Sequence, residues 1–232
     1  PAGLGRVQVQ MAWQKDFSEN TPWIRMVNPH AGGGKGIYFI PEIGEEVLVA
    51  FEAGNAEKPF VLGAMYNGSE SSGYASGGND QKVIQTRSGT KIIMNDAIGS
   101  VFIEDPSGNT WMMDGKGNIS VNAPKNFTVN AGENVNITAG KDMTVSAGVS
   151  MSNSAGKNIT HIAGNDLNQS ATGNFTESSN NKTEISTETT LRQSKKSETF
   201  SEAVNINSSK ENMVMKSGKT IEWNSAEKSQ LF

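Results

Sequence analysis

The chain has 232 residues, 25 of them glycine and none cysteine, with 35% hydrophobic residues and a formal net charge of -4. That composition excludes a disulfide scaffold and a thiolate metal site, and the acidic balance offers no basic surface to nucleic acid or anionic lipid. No apolar run approaches the roughly 20 residues of a membrane-spanning helix, and the abundance of Gly, Asn, Ser and Thr favours strands and turns over a helical bundle.

Residues 1–67 read as one unit. The opening PAGLGRV is neither a signal peptide nor an initiator-Met start, so the chain is expected to be a piece of something longer. Strand patterns follow at residues 6–11, where Val7, Val9 and Met11 alternate with Gln8 and Gln10, and at 23–27, 37–40, 45–52 and 59–66. Five short strands predict a small barrel of the OB type, with an SH3-like barrel as the alternative. Residues 68–82 begin GSESSGYASGGNDQ, small and polar enough for a flexible connector. Residues 83–102 regain strand character as a transition, and from 103 to 232 a period of eight takes over.

The period is plainest over residues 125–148, KNFTVNAG ENVNITAG KDMTVSAG. One apolar residue per block gives the series Ile103, Trp111, Ile119, Phe127, Val135, Met143, Met151, Ile159, Leu167, Phe175, Thr183 and Leu191, apolar throughout except Thr183. Two residues further on, the companion series holds Val129, Ile137 and Val145, then turns polar at Asn153, His161, Gln169 and Glu177. Gly132, Gly140, Gly148, Gly156 and Gly164 keep the same spacing and read as corners, where the absence of a Cβ eases a bend. From Leu191 to Met213 is 22 residues, two short of three blocks. An even slip keeps inward side chains inward, so the repeat is expected to continue through it.

A strand of two anchors and a corner cannot offset the entropy of ordering itself, so blocks must stack and share a core. Three blocks would make one coil of a single-chain β-helix, but its three unlike sides predict a period near 24. Equivalent blocks instead suit three identical chains, each giving one side at every level. Strands stacked about 4.8 Å apart would then form a needle on the order of 75 Å long.

These motifs are similar to those of the VgrG proteins of type VI secretion and of contractile phage central spikes. The octads F-T-V-N-A-G, V-N-I-T-A-G and M-T-V-S-A-G resemble their needle. Upstream, GRVQVQMAWQ and WIRMVNPHAGGGKGIYFIPEIGEEVLVAFEAGNAEKPFVLGAMYNG resemble the OB domain before it. The resemblance implies an all-β, homotrimeric, membrane-puncturing spike: an OB-type barrel followed by an intertwined trimeric β-helix. It further implies assembly in the bacterial cytoplasm and ejection into a target cell or the medium. The implied partners are a PAAR-type tip protein at the C-terminal end, effectors, and hub, tube and baseplate proteins on the N-terminal side. The family's larger N-terminal hub domains have no counterpart in these residues, and no H-x-H iron-binding tip motif is present. Ile221, Trp223, Leu231 and Phe232 are the expected tip-protein docking residues.

No catalytic or cofactor site is expected. Ala31-Gly-Gly-Gly-Lys-Gly36 lacks the Walker spacing and the following Ser or Thr, and reads as a barrel loop. His30 and His161 are the only histidines, no G-x-S-x-G elbow occurs, and adjacent Glu104 and Asp105 would point to opposite faces of a strand. The repeated Asn-x-Ser/Thr triplets follow from strand composition, and the calcium-binding nonapeptide is excluded by the period of eight. A polysaccharide-degrading monomeric β-helix and a trimeric tail-fibre adhesin are the competing functions. One expectation is specific to a trimer: Asn153, His161, Gln169 and Glu177, each repeated about the axis, would either hold a string of water or ions or face solvent.

Overall fold

The computed structural model describes residues 4–222. Among the described residues the regular elements are all β-strands, apart from short 3₁₀ turns at Ala12–Phe17 and Glu52–Gly54. The chain divides between Met143 and Thr144 into two units.

The first sheet is made of β1 (Arg6–Val7), β2 (Ile24–Met26), β5 (Val47–Phe51) and β6 (Pro59–Ala64), in the order β1-β2-β6-β5. The β2–β6 pair is parallel and the other two are antiparallel. Its core is small: Ile24 at 6% exposure and Val61 at 0% are the buried hydrophobic residues among those described. β5 and β6 carry a bulge, where Leu48 faces Gly63 but Val49 faces Val61, leaving Leu62 over. The ladder of β1 stops at Val7, yet the chain stays clasped beyond it. Buried Thr21 donates its N–H to the Val9 carbonyl at 2.8 Å, and its hydroxyl accepts from Val9 N at 3.0 Å.

The structure corrects two expectations for this region. Residues 37–40 join no ladder; Ile37, Tyr38 and Phe39 lie exposed, since the chain offers no strand beside them. Just upstream, the expected barrel loop is a glycine ribbon, β3 (Ala31–Gly32) against β4 (Lys35–Gly36). Gly36 makes this possible: its φ is +138°, and a Cβ there would stand 2.4 Å from the His30 carbonyl oxygen. In the four-stranded sheet β1 and β5 stand at the edges.

The segment after β6 is tied down at both ends. Asn67 Oδ1 accepts from the backbone of Ser69 and Glu70 at 2.9 and 2.8 Å, and Tyr74 donates its hydroxyl to Gln85 at 2.5 Å. Strand pairing resumes at Gln81, inside the expected connector.

A five-stranded antiparallel meander follows: β7 (Gln81–Gln85), β8 (Lys91–Asn95), β9 (Ser100–Glu104), β10 (Thr110–Met113) and β11 (Ile119–Asn122), each paired with the next. It runs straight across the boundary expected at residue 103. The reason is turn chemistry. Residues 105–109, Asp-Pro-Ser-Gly-Asn, form a three-residue hairpin loop in which Gly108 donates to the Asp105 carbonyl and sits at φ +88°. The loop at 114–118, Asp-Gly-Lys-Gly-Asn, is built alike, with Gly117 at φ +93°. In both, the aspartate is the hub: its carboxylate accepts the backbone N–H groups two and four residues on and the side-chain amide of the closing asparagine.

Beyond Asn122 the character changes. Among the described residues no strand and no backbone–backbone hydrogen bond within the chain lies past that point. What remains regular is bending. The backbone turns at 132–133, 140–141, 148–149, 156–157, 164–165, 172–173 and 180, eight residues apart.

Candidate assembly surface

The meander presents two unlike faces. Side chains alternate along each strand, so the register aligns Ile84, Ile92, Ile103, Trp111 and Val121 in one cross-strand row. Lys82, Met94, Val101, Met113 and Ile119 form the row beside it on the same face. Every one of these is apolar except Lys82. The opposite face mixes Val83, Ile93, Phe102 and Met112 with Lys91, Glu104, Thr110 and Asn122. Antiparallel sheets of this kind bury the apolar face, yet here Trp111 is 46% and Ile119 63% exposed.

The anchors Ile103, Trp111 and Ile119 thus belong to a hairpin sheet within one chain. Ile84, Ile92, Met94 and Val101 extend their face and were not singled out by the period of eight. The signal that finds them is the alternation of apolar and polar residues along each strand, combined with the two Asp-x-x-Gly-Asn turns.

The later anchors join no sheet. Phe127, Val135, Met143, Met151, Ile159, Leu167 and Phe175 are all between 52% and 66% exposed, so each rests partly on its own chain and no further. Val129, Ile137 and Val145 are exposed to a similar extent. Leu191 departs from the series at 85%. The backbone bends at 195, one residue earlier than the eight-residue phase requires, and Leu191 falls out of line with the inward positions.

The glycines Gly132, Gly140, Gly148, Gly156 and Gly164 coincide with the bends, but the reason expected for them does not hold within the chain. None has a positive φ, and a Cβ on any of them would meet nothing within 4 Å. The same bend is made at Lys195 and Glu202. Glycine is therefore no backbone requirement of the corner.

The polar companions Asn153, His161, Gln169 and Glu177 are exposed, and among the described residues no group of three His, Asp or Glu is placed to hold a metal ion. Glu177 is ion-paired with Lys182 of its own chain, so its charge has a partner without a cation. Glu104 is paired with Lys91 at 2.7 Å, and that hydrogen bond raises the lysine pKa. Asp105 is held down at about 2, chiefly by the Ser107 hydroxyl and then by the Asn109 amide; Asp114 is lowered by the Asn118 amide. These perturbed carboxylates are turn hubs, engaged by donors of their own loops. Ile221 is described and half exposed, whereas Trp223, Leu231 and Phe232 lie outside the described residues.

Residues 1–66 match the family of the type VI secretion system/phage-baseplate injector OB domain. Part of the chain is similar to VgrG spike proteins. It is 34% identical over 110 residues to the type VI secretion system spike protein VgrG4b of Pseudomonas aeruginosa, covering 45% of this chain and 13% of that protein. Over 90 residues it is 34% identical to VgrG1c of the same organism, covering 38% and 12%. With VgrG3 of Vibrio cholerae it shares 26% identity over 113 residues, or 47% and 11%. The matched stretch is thus about an eighth of the length of these VgrG relatives. Their names describe spike proteins.

Proposed function

We propose that this VgrG relative is the OB-and-needle part of a type VI secretion spike, three copies of which wind into one β-prism. Residues 1–67 form the OB part in this reading, residues 68–82 the link, the meander a collar, and the octads the needle. The observation that carries it is the unpaired backbone from 123 to 222. Buried N–H and C=O groups must find partners, and here each extended block has both edges free while its apolar residues repeat at every eighth position. A monomeric β-helix would pair each strand with the one about 24 residues on, and the described residues contain no such ladder. Two further copies would supply both edges at every level.

Surface area supports the same reading. The chain exposes 22035 Å², against about 10,000 Å² for a compact monomer of its 24.8 kDa. The excess is surface for copies of itself to cover, including the apolar face of the meander.

The task of such a prism is mechanical. A closed, hydrogen-bonded tube has no sheet edge along its side and carries axial load without splaying. Its function is to transmit the thrust of a contracting sheath into a membrane, with no chemistry of its own. The C-terminal end would carry a PAAR-type tip protein and effectors, and the N-terminal side would seat on hub, tube and baseplate. The spike would assemble in the bacterial cytoplasm and leave through the machine. The match to an injector OB domain favours this over a tail-fibre adhesin. Sedimentation tests it: the expected mass is three times 24.8 kDa, and a species at the chain mass overturns the proposal.

A further inference from the structure

The bends keep eight-residue spacing only as far as 180. They next occur at 187–188, 195, 202, 209–211 and 218–219, so the 22 residues from 180 to 202 hold three steps, two of them seven residues long. Each odd step turns a strand's side chains over, and the second restores them. The two-residue slip visible between Leu191 and Met213 is therefore spent as two inversions.

The side chains register the change. Five and three residues before Gly140 stand Val135 and Ile137; the same places before the bend at 195 hold Thr190 and Arg192, and before 202 they hold Ser197 and Thr199. The apolar residues of this stretch, Ile185, Leu191 and Phe200, are 87%, 85% and 90% exposed. On the distal side, Val204, Ile206, Met213, Met215 and Ile221 return to between 46% and 69%.

Charge replaces apolar contact over the same residues. Lys182 pairs with Glu177 and, at 3.4 Å, with Glu184; Glu184 also holds Arg192, one block further on; Lys196 pairs with Glu198. Ion pairs this exposed are weak and screened by salt, unlike apolar burial.

We infer that residues 177–202 form an electrostatically held joint in the needle, where the three chains separate first and beyond which the distal octads behave as a separable cap. The inference rests on the three-chain reading above. It gives the spike a stiff shaft and a labile segment between shaft and tip end, set by sequence and tuned by ionic strength.

Hydrogen exchange on the full chain, read by peptide-resolved mass spectrometry at about 0.1 M and about 1 M NaCl, tests it, because the screening length falls from ~10 to ~3 Å. Exchange across 177–202 is expected to rise about tenfold at high salt, as the loss of several weak pairs implies, while 127–175 stays unchanged. The triple substitution His161→Val, Gln169→Val and Glu177→Val, extending the apolar companion row into the joint, should slow exchange there and blunt its salt response. Sedimentation of the same samples separates the two failures. A monomer at low salt removes the three-chain reading. A trimer whose 177–202 exchange is indifferent to salt, or as slow as 127–175, overturns the joint.

Discussion

The meander and the octads carry the same apolar spacing and reach opposite outcomes. In β9 to β11 the strands fold back on one another, with Ile103 opposite Trp111 and Trp111 opposite Val121. From Phe127 onward, apolar residues eight apart belong to blocks that pair with nothing in their own chain. The difference lies in the connections. Asp105 and Asp114 each gather two backbone N–H groups and an asparagine amide, and Gly108 and Gly117 take the positive φ that reverses the chain. The octad corners have neither an aspartate hub nor a left-handed glycine, so the chain bends without reversing. Periodicity therefore reports which side chains share a face, and turn chemistry reports whether the partner strand is in the same chain or another.

The largest effect should come from breaking the open half. Ile137→Asp would put a carboxylate, repeated by each copy, into a row the three-chain reading makes apolar. An uncompensated charge in such a place costs about 3–5 kcal/mol for each breach, well above the stability margin of a single block. Sedimentation should show dissociated or aggregated chains. An Ile137→Asp protein that still runs at three times the chain mass would mean this row faces water.

A pair of glycine substitutions sharpens the contrast at intermediate size. Gly115 in the meander has φ +73°, and a Cβ there would lie 2.0 Å from the Ile98 carbonyl oxygen in the neighbouring loop. Gly115→Ala should lower stability by roughly 1–3 kcal/mol, visible as a drop in Tm. Gly140 has ordinary φ and open space around it. Within one chain Gly140→Ala should be neutral or stabilising by under about 1 kcal/mol, through the unfolded state. A loss at Gly140 as large as that at Gly115 would instead measure how closely a second copy approaches the corner.

The same contrast explains what could be read from the sequence. The all-β class and the injector-type OB motif were legible, because apolar spacing and composition are local properties. The extent of the meander was not, because the period of eight runs unbroken through Ile103, Trp111 and Ile119 and does not register the Asp-Pro-Ser-Gly-Asn and Asp-Gly-Lys-Gly-Asn turns that reverse the chain. Residues 37–40 look like a strand and have the side chains of one, but pairing depends on a neighbour that the chain does not provide. Leu191 was aligned by counting eights, and the seven-residue step that displaces it shows only in the backbone. The octad glycines stand at bends, and nothing in their own chain meets the missing Cβ.

The smallest effect, and the one confined to the closed half, concerns pH. The Asp105 carboxyl sits at about 2, below its ordinary value, because the Ser107 hydroxyl and the Asn109 amide donate to its charged form. A depressed folded-state pKa contributes stability that is present above the unfolded value and lost as pH falls toward the folded one. The β9–β10 turn should therefore loosen between about pH 4 and about pH 2, with Asp114 adding in the same direction. Asp105→Asn keeps an acceptor oxygen but cannot titrate, so amide exchange at Ser107 and Asn109 should become flat across that range while starting slightly faster at neutral pH. The octad amides, with no aspartate hub to protonate, should not share the Asp105-dependent step. If Asp105→Asn leaves the acid response of the β9–β10 turn unchanged, the hairpin is held by its glycine and strand register alone, and the aspartate hub ceases to distinguish the closed half from the open one.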